Sequence, residues 1–208
     1  MKGLFLKDTY LIRKSCKMVF LLDAVFLVAY LFSEEKPLFF VGYPCVTTMV
    51  IPHLLLTYEE AENWYRYAAT LPYTKNQILS SKYLIAVLYG FFVLILSAAV
   101  QACSMLKDGS FDPENYFLIF ILLAAMCLIP CAIILPILYR FGTAKGRLVY
   151  SMIIGVICAL SFFMTDVLEK IPAGWNNMQL AVTIGIITAV LFAGSWLLSV
   201  HFCKKREL

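Results

Sequence analysis

Apolar residues occur in long runs along this chain, and short polar segments separate the runs. A helix that crosses a bilayer needs roughly 20 mainly apolar residues. Six runs come near that length, although Asp23 interrupts the first, and they predict spans at about 18–33, 37–57, 83–106, 116–139, 148–165 and 179–203. The pattern therefore predicts an all-α polytopic membrane protein in which residues 1–208 form a single transmembrane domain.

The first 17 residues show an amphipathic pattern. At about 100° per residue, the basic side chains cluster on one arc of a helix, and apolar residues such as Leu4 and Ile12 lie opposite them. A helix of this kind lies in the headgroup layer of a membrane. Asp8 is the exception in the pattern, because it projects from the apolar face.

The polar segment at 58–82 carries the clearest signals for helix starts. Thr57 followed by Glu60, and Thr74 followed by Gln77, match the capping-box spacing. We expect Thr57 to cap a short amphipathic helix over 59–68 and Thr74 to cap the helix of the third span. The apolar side of the short helix includes Trp64 and Tyr65, and its polar side includes Glu59, Glu60, Glu62, Asn63 and Arg66.

Composition supports the membrane interpretation. Hydrophobic residues make up 62% of the chain and charged residues 14%, whereas soluble domains have roughly 45–50% and about 25%. A chain of this length cannot hide so much apolar surface inside a globule. A soluble enzyme, a disordered tail and a DNA-binding module with a basic face are therefore excluded.

The basic residues divide unequally between the two sides of the predicted bundle. Of the 17 Lys and Arg residues, 14 lie on the side that holds the N-terminus, and only Lys36, Lys107 and Lys170 lie on the other. Because short cytoplasmic segments are enriched in Lys and Arg, both termini are predicted to be cytoplasmic.

Few polar groups lie inside the predicted spans. An intramembrane carboxylate is costly and often functional, so Asp23 either has a functional role or pairs with a cation such as Lys17. His53 either takes part in proton movement or packs between helices, and Gln101 is expected to form a hydrogen bond between helices.

Prolines are predicted to bend the second and fourth helices at Pro44, Pro52, Pro130 and Pro136. Close helix packing, either within the subunit or between subunits, is predicted at the small residues Gly155, Ala159, Gly185, Ala189 and Gly194.

Several catalytic and binding motifs are absent from the sequence. It has no G-x-x-x-x-G-K-[ST] phosphate loop, no G-x-S-x-G and no H-E-x-x-H. The seven cysteines include no C-x-x-C, so buried free thiols are expected in place of a metal or redox site. The chain is therefore expected to have no catalytic residues, no metal and no cofactor of its own.

In layout and in local sequence, the chain resembles the type-2 ABC exporter permeases. The layout is a basic amphipathic N-terminus, six spans and a longer cytoplasmic loop after the second span. The local resemblance lies in residues 1–8, 58–60, 71–75 and 81–83. Within that family, the chain is similar to the transmembrane subunits of the phenol-soluble modulin exporters of Gram-positive bacteria.

The resemblance implies a non-catalytic permease subunit in the bacterial plasma membrane. Such a subunit would move amphipathic or hydrophobic substrates, for example cytolytic or antimicrobial peptides, out of the cell. A separate ABC ATPase would bind ATP and Mg, and a second permease copy, identical or different, would complete the transporter. Lipid is the surrounding partner, and no nucleic acid is involved.

The resemblance also assigns roles to particular segments. Residues 1–17 would be the connecting helix at the inner membrane surface. The helix at 59–68 would be the coupling helix that docks on the ATPase. Its aromatic residues Trp64 and Tyr65 would anchor it in a groove, and polar contacts would come from Glu59, Glu60, Glu62 and Arg66.

Two other functions stay open from the residues alone. A stand-alone membrane immunity or sensor protein would share the topology but would have no ATPase partner. A membrane-embedded enzyme would depend on Asp23 and His53, with a turnover that needs no ATPase.

Overall fold

The structure is a computed structural model, and it describes residues 2–33, 37–62, 64–68, 70, 74–107, 109, 112–143, 145–149, 151–156, 159 and 177–205. The regular elements in these residues are helices. They are α1 (Lys2–Ser15), α2 (Lys17–Phe32), α3 (Leu38–Thr47), α4 (Val50–Ala61), α5 (Trp64–Ala68), α6 (Lys75–Lys107), α7 (Pro113–Phe141) and α8 (Asn177–Lys205). Residues 145–149 and 151–156 are also helical.

Four helical stretches in the described residues are long and apolar enough to cross a membrane, namely Leu38–Ala61, Asn76–Lys107, Pro113–Phe141 and Met178–His201. A fifth span is obtained if α1 and α2 are taken together, although the chain bends by 65° between them. In the predicted fifth span, 148–165, residues 150, 157–158 and 160–165 lie outside the described residues. The structure therefore supports a polytopic helical membrane protein. The residues that it describes contain four or five of the six predicted spans.

Helices α6 and α7 begin at side-chain caps. Thr74 and Gln77 form a reciprocal capping box before α6, because the Thr74 amide donates to Gln77 Oε1 at 3.1 Å and the Gln77 amide donates to Thr74 Oγ1 at 3.3 Å. Before α7, Asp112 Oδ1 accepts from the Glu114 amide at 3.1 Å, and Pro113 occupies the first helical position. The Thr74 cap agrees with the capping box predicted from the sequence.

The second span is interrupted between its two prolines. Pro44 lies inside α3, and Pro52 lies in the first turn of α4. Pro52 has no N–H to donate to the Thr48 carbonyl, and the Ile51 amide donates to that oxygen at 3.3 Å. The Thr48 hydroxyl lies 3.3 Å from the Cys127 carbonyl oxygen of α7, so the interruption faces a neighbouring helix. The other two prolines, Pro130 and Pro136, lie inside the continuous helix α7.

Polar side chains join α6, α7 and α8 at one level of the bundle. The Tyr83 hydroxyl of α6 lies 2.6 Å from Ser199 Oγ and 2.9 Å from Ser195 Oγ, both of α8. Ser195 Oγ in turn donates to the Ala132 carbonyl oxygen of α7 at 2.6 Å. Around these bonds lies the largest apolar cluster, which includes buried residues of α4, α6 and α7. In a membrane, such interhelical hydrogen bonds contribute about 0.6–2 kcal/mol each.

Helix α6 is also joined to the first two helices at two separate points. Near its far end, the Tyr30 hydroxyl of α2 donates to Gln101 Oε1 at 2.5 Å, which confirms the predicted interhelical bond of Gln101. Near its start, Lys82 Nζ donates to Asp8 Oδ2 of α1 at 2.7 Å. Among the described cysteines, Cys16, Cys45, Cys127 and Cys131 are buried free thiols as predicted, whereas the free thiol Cys103 is exposed.

Candidate functional site

A cluster of four charged side chains lies where α1, α4 and α6 meet. At its centre is Lys82, whose side chain is 0% exposed. Lys82 Nζ lies 2.7 Å from Asp8 Oδ2 and 2.6 Å from Glu59 Oε1. Lys7 also donates to Glu59 Oε1, and its Nζ lies 3.3 Å from Asp8 Oδ1. We call Lys7, Asp8, Glu59 and Lys82 the charge cluster.

The charge cluster explains why Asp8 breaks the amphipathic pattern of α1. Leu4, Asp8, Ile12 and Cys16 follow one another at intervals of four, and all four are buried. This is the face that α1 turns toward the bundle, so an aspartate there has to be compensated by a nearby cation. Two lysines and two carboxylates balance within the cluster, as buried charges require.

Helix α5 packs on the same junction through Trp64. The Trp64 ring lies under Lys7, with Nζ 3.6 Å from the ring centroid, which is a cation–π contact. Trp64 also packs against an apolar cluster of Leu4, Ala68 and Ile78. The segment that follows α4 is therefore held against both α1 and α6.

Glu60, the neighbour of Glu59, contacts a different part of the bundle. Its Oε2 accepts hydrogen bonds from the Thr143 amide at 3.1 Å and from the Thr143 hydroxyl at 2.6 Å. Thr143 follows Gly142, which ends α7 with a φ of +82°. Two adjacent carboxylates thus connect the end of α4 to two sides of the bundle, to α1 and α6 through Glu59 and to the end of α7 through Glu60.

Residues 3–204 match the profile of a family described as ABC-2 family transporter protein. The chain belongs to the ABC-2 transporter family. It is a membrane-embedded permease of an ABC transporter, a type of subunit that is generally non-catalytic and whose family implies an ABC ATPase partner. Neither the curated proteins nor the solved structures contain a significant match to it.

The structure corrects part of the predicted coupling segment of this permease. The predicted helix over 59–68 is two elements, since α4 continues to Ala61 and α5 begins at Trp64. Thr57 lies inside α4 and donates its hydroxyl to the His53 carbonyl at 2.8 Å, so it caps no helix. The turns of α4 before Thr57 supply carbonyl acceptors for the backbone amides that follow it. The helix therefore continues through Thr57, and no new helix N-terminus forms there.

The other predicted contact residues of the ABC-2 permease differ in exposure. Glu62 is exposed at the end of α4, whereas Glu59 is buried in the charge cluster and Glu60 is half-buried. The backbones of Tyr65 and Arg66 belong to α5, and their side chains lie outside the described residues. The segment therefore has an inner face that contacts the rest of the permease and an outer face that is exposed.

The intramembrane polar residues of the permease lie in separate places. Asp23 is buried in α2, and its Oδ1 accepts from the Thr47 hydroxyl of α3 at 2.8 Å, whereas Lys17 is exposed. His53 is buried in α4, and an added Cβ at Gly146 would lie 3.8 Å from its Nδ1. Asp23 and His53 are thus in different environments. In the described part of the chain, no group of three His, Cys, Asp or Glu side chains is placed to hold a metal ion.

Sequence reasoning missed Lys7, Lys82 and Thr143 as members of the site. The available signal was Asp8, because a carboxylate on an apolar helix face calls for a buried cation. Lys82 was the candidate at the start of an apolar run. Nothing in the sequence marks Thr143, since its contact with Glu60 depends on how α7 ends.

Proposed function

We propose that this permease is the membrane subunit of an ATP-driven exporter and that residues 58–68 receive the movement of a separate ABC ATPase. The observation that supports the proposal is the buried ion pair of Lys82 with Glu59 and Asp8. It joins the end of α4 directly to a long membrane-spanning helix and to the N-terminal helix. A force applied to the segment at 58–68 would therefore reach both.

The outer face of this segment is suited to bind the ATPase. Tyr67 is 63% exposed, and Tyr58 and Glu62 are also exposed. Exposed tyrosines are frequent anchors of protein interfaces. Trp64, by contrast, is engaged with Lys7 and the apolar cluster beside it, so Tyr67 takes over the anchoring role that sequence reasoning gave to Trp64.

Movement would then follow two routes from the docked segment. Glu59 would transmit it through Lys82 to α6 and α1, and Glu60 would transmit it through Thr143 to the end of α7. ATP and Mg would be bound and used by the ATPase, and this chain would contribute no catalytic group. Two permease copies, identical or different, would form the path between them.

The substrate class is inferred from the apolar character of this permease's spans. Its spans are strongly apolar, and buried polar residues such as Gln101, Ser195 and Thr47 hydrogen-bond to neighbouring helices. A polar solute would find few groups to bind. Amphipathic or hydrophobic molecules fit better, and cytolytic or antimicrobial peptides exported from a bacterial cell through its plasma membrane are the leading candidates.

The proposal is tested by co-purifying the permease with the ATPase encoded beside it and reconstituting both into vesicles. Tyr67→Ala should weaken ATPase binding about tenfold or more, because it removes an exposed aromatic anchor. Tyr10→Ala is the matched control, since Tyr10 is 73% exposed but lies on α1 outside the segment; it should leave binding unchanged. Thr143→Val should keep the ATPase bound but lower the peptide exported per ATP hydrolysed.

Two results would contradict the proposal. If the wild-type chain binds no ATPase, the stand-alone immunity or sensor function is favoured. If Tyr67→Ala and Tyr10→Ala bind the ATPase equally well, residues 58–68 are not the docking segment.

A further inference from the structure

A cavity of about 310 Å³ lies between the N-terminal helix and the long helix α6. Its walls include Phe5 and Ile12 of α1, Phe20 of α2, and Leu88 and Phe92 of α6. The Phe20 ring packs edge-on against the Tyr89 ring at 5.3 Å between centroids. The cavity is distinct from the charge cluster, which occupies the neighbouring face of α1.

The cavity opens where an acyl chain would meet it. Leu88 is 47% exposed and Phe92 is 54% exposed, and both belong to a helix that is long and apolar enough to cross a membrane. A volume of this size is at the small end of ligand cavities, which span roughly 300–1,000 Å³. It therefore has room for part of one chain and excludes a whole lipid molecule.

One residue that lines the cavity carries a positive charge. Arg13 lines it from α1, together with Thr9, and Arg13 is exposed. An amphipathic helix such as α1 lies at the level of the lipid headgroups. A guanidinium group at that level, above an otherwise apolar cavity, complements a molecule with an anionic head and an apolar tail.

We propose that this cavity binds an anionic phospholipid, with one acyl chain between α1 and α6 and the phosphate held by Arg13. Guanidinium groups bind phosphate through paired, charge-assisted hydrogen bonds. The apolar walls select a lipid over a soluble phosphate, which would gain nothing from Phe5, Leu88 or Phe92. Bound there, the lipid would join α1 to α6 beside the Asp8–Lys82 ion pair.

The test measures lipid binding by the purified full-length chain with native mass spectrometry. The probes are dioleoylphosphatidylglycerol and dioleoylphosphatidylcholine, which have the same chains and different headgroup charge. Phosphatidylglycerol should bind more tightly. Arg13→Gln should weaken its binding about fivefold, the effect expected for one basic residue at a membrane surface, and should leave phosphatidylcholine unchanged.

Two matched controls separate the cavity from general properties of the surface. Lys14→Gln removes the same charge from an exposed neighbour that does not line the cavity, so it should have a much smaller effect. Leu88→Trp fills the cavity and should abolish phosphatidylglycerol selectivity, whereas Phe91→Trp, at a residue that is 58% exposed and outside the cavity walls, should preserve it. Phe92→Trp is a second filling variant if Leu88→Trp does not fold.

Three outcomes would overturn the proposal. Equal losses with Arg13→Gln and Lys14→Gln would show general charge attraction only. Unchanged selectivity in both filling variants would place the lipid elsewhere. Equal binding of the two lipid probes by the wild-type chain would show that Arg13 does not select the anionic headgroup. None of these outcomes depends on an ATPase, so the proposed transport function is tested separately.

Discussion

The charge cluster depends on one fully buried lysine. The Lys82 side chain is fully buried, and Asp8 and Glu59 both accept hydrogen bonds from its Nζ. Sequence reasoning could identify Asp8 as misplaced on an apolar face. It could not identify the partner, because Asp8 and Lys82 are 74 positions apart, and only the packing of α1 against α6 brings them together.

Removing Lys82 alone should lower the free energy of unfolding more than removing the charges of Lys82 and Asp8 together. Lys82→Met leaves two buried carboxylates with one lysine, and breaking a buried ion pair in this way costs about 3–5 kcal/mol. The double variant Lys82→Met with Asp8→Asn leaves Lys7 paired with Glu59 and should recover at least half of the loss. Reversible unfolding in mixed micelles measures both effects.

An exposed lysine provides the comparison for this prediction. Lys17→Met removes the same charge from an exposed position at the start of α2, and it should change the free energy of unfolding by no more than about 0.5 kcal/mol. A loss in Lys17→Met as large as that in Lys82→Met would show that total charge matters and the buried pair does not.

At the scale of elements, the sequence predicted where helices exist better than where they begin. Long apolar runs specify spans because a bilayer accepts little else. Where a helix starts depends on which group accepts hydrogen bonds from its first free backbone amides. The two predicted threonine caps differ in whether such free amides are present. Thr74 directly precedes α6, so its side chain has free amides of that helix to bind. Thr57 lies within a helix that is already formed, and the same capping-box spacing has no effect there.

The two threonines give a matched pair of substitutions. Thr74→Ala should destabilise the protein by about 1 kcal/mol, because it removes the capping hydroxyl of α6. Thr57→Ala should change stability by a few tenths of a kcal/mol at most, since Thr57 only donates to the carbonyl four residues earlier. Thermal unfolding of the two variants side by side measures the difference, and equal losses would contradict the assignment of the helix start.

At the scale of the whole molecule, the contacts between helices were the hardest to predict. The sequence predicts close packing at Gly155, Gly185 and Gly194, within or between subunits. Among the described residues of this one chain, an added Cβ at Gly155 or Gly194 meets no atom within 4 Å, so packing between subunits stays a prediction there. The closest approaches occur at Gly42, Gly90 and Gly146. A span that is apolar on all sides gives no periodic signal for its inner face, so small residues alone do not locate the contact.

Gly90 and Gly194 provide a test of the helix packing. A Cβ at Gly90 would lie 2.5 Å from Cys127 Sγ of α7, and Cys127 is a short, buried side chain with little freedom to move. Gly90→Ala should therefore cost about 1–3 kcal/mol of stability by overpacking. Gly194→Ala should be neutral or stabilising by up to about 1 kcal/mol, because alanine favours the helix. A harmless Gly90→Ala in the unfolding measurement would refute the close contact of α6 with α7.

The two attachments of α6 have a geometric consequence. At about 1.5 Å per residue, Asp8 lies about 12 Å from the bend at Cys16, Tyr30 lies about 21 Å beyond it, and Lys82 and Gln101 are about 28 Å apart. Two sides of about 12 and 21 Å that meet at a bend of 65° enclose a third side of about 28 Å, which is the length that α6 provides. The three helices therefore form a closed triangle that is about as tall as the hydrocarbon core, roughly 30 Å. Because the three sides fix the angles of a triangle, we expect a displacement of α1 at the Asp8 end to be accompanied by a displacement of α2 at the Tyr30 end.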